Sequence, residues 1–212
     1  MKPVKSEEQP VVFVIDDDES LRDALRRLFR MMGLRVETFA TAAEFLKSKL
    51  PDVPTCLVLD VRLPGISGLD FQAELVKADI KIPIIFMTGH GDIPMTVKAM
   101  KAGALEFLSK PFREQEMLDA VQLALERDRT RRQAEQANAQ LRANFESLST
   151  REQEVMAFVT AGLMNKQIAA QLGLAEVTVK LHRGSLMRKM NARSVAELAR
   201  MAQILEIGHS KS

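Results

Sequence analysis

Five apolar residues in a row, Val11 to Ile15, run directly into three carboxylates, Asp16, Asp17 and Asp18. An unbroken apolar run of this kind predicts a strand buried on both faces, as in a parallel sheet. The pattern recurs along the first half of the chain. Cys56–Leu59 ends in Asp60, Ile84–Met87 ends in Thr88, and Leu105–Leu108 leads to Lys110-Pro111. Leu34–Phe39 reads as a further strand. The intervening segments have helical spacing. Leu21, Leu25, Leu28, Phe29 and Met32 predict a helix over about 19–32, with Gly33 placed to end it. Thr41 is placed to cap a short helix carrying Phe45 and Leu46. Ser67–Lys77 reads as helix, with Leu69, Leu75 and Val76 available for packing. A fourth helix is predicted over about 94–102, with Pro94 in its first turn and Gly103 at its end. Gly89-His90-Gly91-Asp92 reads as a loop, and His90 as a loop residue. Strands and helices alternating five times predict a doubly wound parallel sheet, (βα)5. Ligands bind such sheets at the carboxyl edge, where Asp16, Asp60, Thr88 and Lys110 converge.

The second half has no strand pattern. From Arg113 the chain is helical without a stop until about Phe145. Met117, Leu118, Val121 and Leu125 can cover the sheet. Glu126–Gln140 has no large apolar residue, no glycine and no proline, which predicts a polar helix bridging two domains in solvent. Ala134, Ala137, Leu141 and Leu148 form a stripe too poor for a coiled coil. Ser149-Thr150-Arg151-Glu152 has the spacing of a capping box, followed by a helix with Val155, Met156 and Val159 that stops near Gly162. Asn165 is placed to cap a helix over Lys166–Leu172, Gly173 makes a turn, and helices follow over about Glu176–Met190 and Ser194–Leu205. Val179, Leu186 and Met190 share one face of the penultimate helix and are expected to be buried. Helix, short glycine-bearing turn, helix is the helix-turn-helix signature. The expected division is an α/β domain over 10–127, a helical linker over 128–147 and an all-α domain over 148–208.

Charge separates the two ends. Residues 1–125 carry 16 Lys/Arg against 19 Asp/Glu, net −3, whereas residues 149–212 carry 9 against 5, net +4. A basic helical end suits a polyphosphate partner. The apolar runs fall well short of the roughly 18 residues of a membrane span, and Met1–Pro10 is polar. The single cysteine, Cys56, lies in an apolar run and reads as core packing. These features fit a cytoplasmic protein without a membrane partner.

Three packed carboxylates repel one another and need a cation, and an all-oxygen set suits Mg²⁺. A carboxylate can act as nucleophile toward phosphorus, and Lys110 supplies fixed positive charge for a transferred group. The acids at 16–19 also suit a helix N-terminus. Asp16-Asp17, Asp60 within Leu59-Asp60-Val61-Arg62-Leu63-Pro64-Gly65, Thr88-Gly89 and Lys110-Pro111, in this order over about 10–127, resemble a response-regulator receiver domain. The resemblance implies a flavodoxin-like fold in which Asp60 accepts a phosphoryl group from a sensor histidine kinase. It implies Mg²⁺ held by Asp17, Asp60 and the main-chain carbonyl of Arg62, with Asp16 helping through water. It makes Thr88 and Lys110 ligands of the phosphoryl oxygens, Thr88 and Phe107 a switch pair, and the Lys110–Pro111 peptide cis.

Leu148–Val155, Asn165–Ala169 and Val177–His182 resemble a LuxR-type helix-turn-helix. Together with the receiver, they are similar to the NarL/FixJ family of transcriptional regulators over nearly the whole chain. That resemblance implies base contacts from Lys180 and Leu181, and phosphate contacts from Lys166, Thr178 and His182. Some relatives carry a base-contacting lysine where this chain has Gly184, which shifts polar readout toward Arg183. The reading is a response regulator, not an enzyme, whose phosphorylation promotes homodimerisation and binding to promoter DNA. Two other readings stand beside it. One is a regulator that works without phosphorylation. The other is a Mg²⁺-dependent phosphohydrolase using Asp60, against which Arg62 occupies the position where such enzymes often carry a second acid.

Overall fold

The computed structural model describes residues 9–89 and 93–207. Residues 1–8 of the polar start, the loop residues His90–Asp92 and residues 208–212 lie outside the described residues. Contacts divide the chain into two compact units between Arg132 and Gln133.

The first unit is a parallel five-stranded sheet ordered β2-β1-β3-β4-β5. Its strands are β1 (Val11–Ile15), β2 (Arg35–Phe39), β3 (Thr55–Asp60), β4 (Ile84–Thr88) and β5 (Glu106–Ser109). Side chains alternate across a strand, so each apolar run feeds two cores. Phe13, Leu57, Leu59 and Phe86 pack with Phe45 of α2 (Ala42–Lys47), Phe71 and Leu75 of α3 (Gly68–Lys77), and Ala99 of α4 (Ile93–Lys101). Val12, Val14, Cys56, Val58 and Ile85 pack on the other face. There they meet Leu25 and Phe29 of α1 (Glu19–Met31) and Met117 and Val121 of α5 (Glu114–Glu146). Burial, reinforced by the charge of Asp128, pushes the Cys56 thiol far up, leaving it a core residue rather than a nucleophile. Helical spacing overstates the packing face at two places: Met32 and Val76 are exposed, the first beyond the end of α1 and the second in the last turn of α3.

Each helix start has a local cause. Asp18 caps α1, its Oδ1 accepting from the N–H groups of Ser20 and Leu21. Thr41 and Ser67 cap α2 and α3 by accepting from Glu44 and Asp70 N–H. The Lys110–Pro111 peptide is cis.

The long helix α5 departs from its sequence pattern at one residue. Solvent is expected on all sides of α5 from Glu126 onward, yet Asp128 is fully buried. Its Oδ2 accepts from Thr55 N–H at 2.9 Å, and its carboxylate takes Arg131 Nη2 at 2.6 Å and Arg132 Nε at 2.7 Å. Arg132 Nη1 reaches Asp52 at 2.8 Å. The physical reason is the start of β3: a buried strand N–H must find an acceptor, and a carboxylate supplying it must be neutralised. From Gln133 to Gln140 every residue is exposed, so Ala134 and Ala137 cover nothing.

The second unit takes Leu141 and Phe145 from the end of α5 into a core with α6 (Thr150–Thr160), α7 (Asn165–Leu172), α8 (Glu176–Lys189) and α9 (Val195–Ile204). Val179, Leu186 and Met190 are fully buried, as their spacing predicts. The capping box forms: Ser149 Oγ accepts from Glu152 N–H, and Glu152 Oε2 accepts from Ser149 N–H at 2.7 Å. The same carboxylate takes Lys189 Nζ of α8 at 2.6 Å. Burial works to raise the Glu152 carboxyl, but hydrogen bonds from Lys189, Ser185 and Ser149 outweigh it and lower it from 4.5 to about 2. A depressed acid contributes stability that is fully present above its unfolded value and is lost as pH falls through the folded one. Glu152→Gln is therefore expected to destabilise this unit at pH 7 by about 1–3 kcal/mol, through the loss of charged hydrogen bonds. In thermal melts the difference from the unsubstituted protein shrinks between pH 4.5 and pH 2; a difference that is constant with pH refutes the assignment.

Candidate functional site

The carboxyl edge of the sheet collects residues from four strands. Asp16 follows β1, Asp60 ends β3, Thr88 ends β4 and Lys110 follows β5. The strand order reverses between β1 and β3, which opens a crevice there. The Asp16, Asp17 and Asp60 side chains each offer an oxygen within 4.8 Å of the others. Three neighbouring aspartates thus divide their work. Asp18 serves the helix, while Asp16 and Asp17 face the crevice.

The two buried acids are held unequally. Asp16 is fully buried; its Oδ1 accepts from Asp18 N–H at 2.9 Å and its Oδ2 from Lys110 Nζ at 2.6 Å. Both its oxygens are taken at short range. Among the described residues, Asp60 has only longer contacts, Arg62 N–H at 3.4 Å and Lys110 Nζ at 3.3 Å. Burial, above all, raises the Asp60 carboxyl; Lys110 opposes the rise and Asp16 adds to it. For Lys110, burial works against the charge, but the hydrogen bond and charge of Asp16, with Asp60 behind them, outweigh it and raise the ammonium. Lys110 therefore stays charged at neutral pH. One ammonium among three carboxylates leaves an acidic pocket of hard oxygen donors, which fits a small divalent cation.

Thr88 is fully buried, and its carbonyl accepts from Lys110 N–H at 2.6 Å. Phe107 is half-buried beside Phe86, with ring centroids 6.2 Å apart. Arg62 lies at the surface, bridged through its main chain to Ser67. Gly68 had no mark in the sequence, yet it has a structural task. A Cβ there would lie 2.4 Å from the Asp60 carbonyl oxygen and 3.1 Å from the Phe86 ring, so only glycine lets α3 start this close to the acidic pocket.

On the second unit, Lys180 and Leu181 of α8 are exposed, with Leu181 71% accessible, while Thr178, His182 and Arg183 are half-buried. Val177, 65% accessible, lies one turn before Leu181 and joins it as an exposed apolar residue on this face. Lys166 is exposed on α7. A Cβ at Gly184 would meet open space, so packing does not require that glycine. The cap of α7 falls on Met164 rather than Asn165. Met164 N–H donates to Gln167 Oε1 at 2.8 Å, and Asn165 Oδ1 instead accepts from Arg183 Nη1 at 2.9 Å.

A parallel sheet carrying this pocket, followed by a helix-turn-helix unit, defines a signalling class, and the sequence matches place the chain within it. Residues 12–122 match the response regulator receiver domain, and residues 146–202 match the bacterial regulatory proteins of the luxR family. The chain belongs to the two-component response regulators of the NarL/FixJ family, transcriptional regulators that work with a histidine kinase and bind DNA. It is 62% identical over 197 residues to nodulation protein W of Bradyrhizobium diazoefficiens, covering 93% of this chain and 87% of that protein. It is 42% identical over 191 residues to the transcriptional regulatory protein FixJ of Azorhizobium caulinodans, covering 90% of each. The solved structure of the response regulator StyR matches with a TM-score of 0.85 at 53% identity, covering 92% of this chain and 98% of that one. This family is not one of enzymes, which sets aside the phosphohydrolase reading. Among the described residues, no helix is long and apolar enough to cross a membrane.

Proposed function

We propose that Asp60 is the phosphoacceptor and that its modification drives dimerisation and promoter binding. The observation that carries this is the unequal holding of the two buried acids. Asp16 is spent on Asp18 and Lys110 at short range, whereas Asp60 keeps loosely held oxygens at the crevice. In the transfer, a P–O bond forms at Asp60 as the P–N bond to the kinase histidine breaks. The imidazole keeps the electron pair, and Asp60 attacks as its carboxylate, the form that the neighbouring Lys110 ammonium favours. Asp17, Asp60 and the Arg62 carbonyl would hold Mg²⁺, with Asp16 helping through water, and the ion would supply positive charge against the carboxylates and phosphoryl oxygens. Lys110 and Thr88 bind phosphoryl oxygens, and Thr88 and Phe107 respond as a pair. The division is a receiver that runs on from 127 through Arg132, where Asp128 holds the start of β3, then a helical connector up to 147 and a DNA-binding domain over 148–208, acting in the cytoplasm where promoter DNA lies.

A single helix-turn-helix has a small footprint, and two half-sites require a two-fold pair. Beryllofluoride with Mg²⁺ is expected to convert a monomer to a dimer in analytical ultracentrifugation. Thr88→Ala should accept the modification yet remain mostly monomeric. A protein that stays monomeric when modified, while binding DNA more tightly, would contradict dimerisation and favour release of a blocked helix.

α8 serves as the recognition helix. Lys180 and Leu181 reach base edges, Lys166, Thr178 and His182 contact phosphates, and Arg183 adds polar readout. The exposed Leu181 suits the methyl group of thymine. Lys180→Ala should cost about 1–3 kcal/mol on a selected duplex and much less on a scrambled one. Lys166→Ala should weaken both alike and lower the salt slope by about one unit. Filter binding across a salt series decides; equal losses for Lys180→Ala demote it to a phosphate contact.

A further inference from the structure

Asn165 holds a residue type suited to capping but does not cap. The extended backbone that begins α7 belongs to Met164, whose side chain makes no cap hydrogen bond. An asparagine at that position would satisfy the helix start directly. One residue further on, inside the helix, the Asn165 Oδ1 is committed to Arg183 Nη1 at 2.9 Å. Both residues are half-buried, so the bond is partly shielded from competing water.

Arg183 follows Lys180 by three residues, which places the two on neighbouring positions of one helix side. Its guanidinium carries five N–H donors in a planar fork. Among the described residues, one is taken by Asn165 and four remain. An unheld arginine would lose its freedom on meeting a ligand, whereas a held one has already lost it. The next position on α8 is Gly184, where even a Cβ would meet open space, so it adds no side chain beside Arg183.

We propose that Asn165 is a positioning residue for DNA recognition: its amide oxygen fixes one arm of the Arg183 guanidinium so that the remaining donors are pre-set toward the duplex. This rests on the reading of α8 as the helix that meets DNA. A staple that merely joined α7 to α8 would use the same bond, and the two are separated by base preference.

The test uses the full-length protein activated with beryllofluoride and Mg²⁺. A short duplex selected by the unsubstituted protein from a randomised pool is the probe, with a scrambled duplex as control. Arg183→Ala is expected to lower affinity for the selected duplex about tenfold and to flatten base preference at one position of the half-site. Asn165→Ala lowers it less, about threefold, and flattens the same position. In the Arg183→Ala background, Asn165→Ala has no further effect on binding. Asn165→Ser, which keeps a short acceptor, recovers part of the preference and guards against misfolding as the cause. Additive losses overturn the proposal, as do equal losses on both duplexes or a lowered melting temperature with base preference unchanged. If the unsubstituted protein selects no sequence, the DNA-binding reading fails first and this inference falls with it.

Discussion

Asp60→Asn is expected to take up no phosphoryl group from acetyl phosphate and Mg²⁺, whereas the unsubstituted protein is labelled at one site. The amide keeps the shape of the carboxylate, and the Arg62 N–H can still find an oxygen there. It lacks the ionised oxygen that attacks phosphorus. Asp16, though also a carboxylate and nearer Lys110, cannot substitute, because both its oxygens are already engaged at 2.9 and 2.6 Å. Lys110→Ala gives a different result. It frees one Asp16 oxygen and leaves the acidic pocket more negative, so metal binding survives while the response to phosphorylation is lost. Intact-mass spectrometry with hydroxylamine cleavage of the acyl phosphate reads the first outcome; Mg²⁺ titration and dimerisation on activation read the second. Labelling of Asp60→Asn at the unsubstituted rate removes Asp60 from its role.

The second large effect lies at the opposite end of the same strand. Asp128→Ala is expected to cost about 3 kcal/mol, because breaking a buried ion pair leaves its partners uncompensated. Thr55 N–H is orphaned at the start of β3, and Arg131 and Arg132 lose their shared carboxylate. For a domain of this size that lowers the melting temperature by roughly 10 °C. Asp128→Asn keeps an acceptor for Thr55 N–H and should lose less. Calorimetry of the receiver transition decides; a fall of a degree or two for Asp128→Ala would show the network to be an ordinary surface pairing.

The central strands β1, β3 and β4 were legible because each is buried on both faces and so is written as a continuous apolar run, whereas the edge strands β2 and β5 are only partly buried and carry charged residues. The acids, the threonine and the lysine were legible because they stand immediately after those runs. The division of labour among Asp16, Asp17 and Asp18 was not. Identical side chains in sequence are told apart only by where the β1–α1 turn points them. Asp128 carried no mark either, since an acid with arginines three and four residues on reads as a solvated helical face. Its burial depends on Thr55, distant in sequence. Asn165 misled by one residue, because a side chain that could cap was diverted to Arg183 by the packing of α7 on α8. Gly68 lacked any signal, as its need arises from the Asp60 carbonyl across a tight approach.

That modification of Asp60 governs DNA binding is tested most directly by fluorescence anisotropy on a selected duplex, with and without beryllofluoride and Mg²⁺. The account predicts that affinity of the unsubstituted protein rises about tenfold or more on activation, a coupling within the usual range between linked sites. Asp60→Asn should show the same weak binding in both conditions. Equal affinity of the unsubstituted protein with and without activation would contradict the account and leave a regulator that binds DNA independently of its acidic pocket.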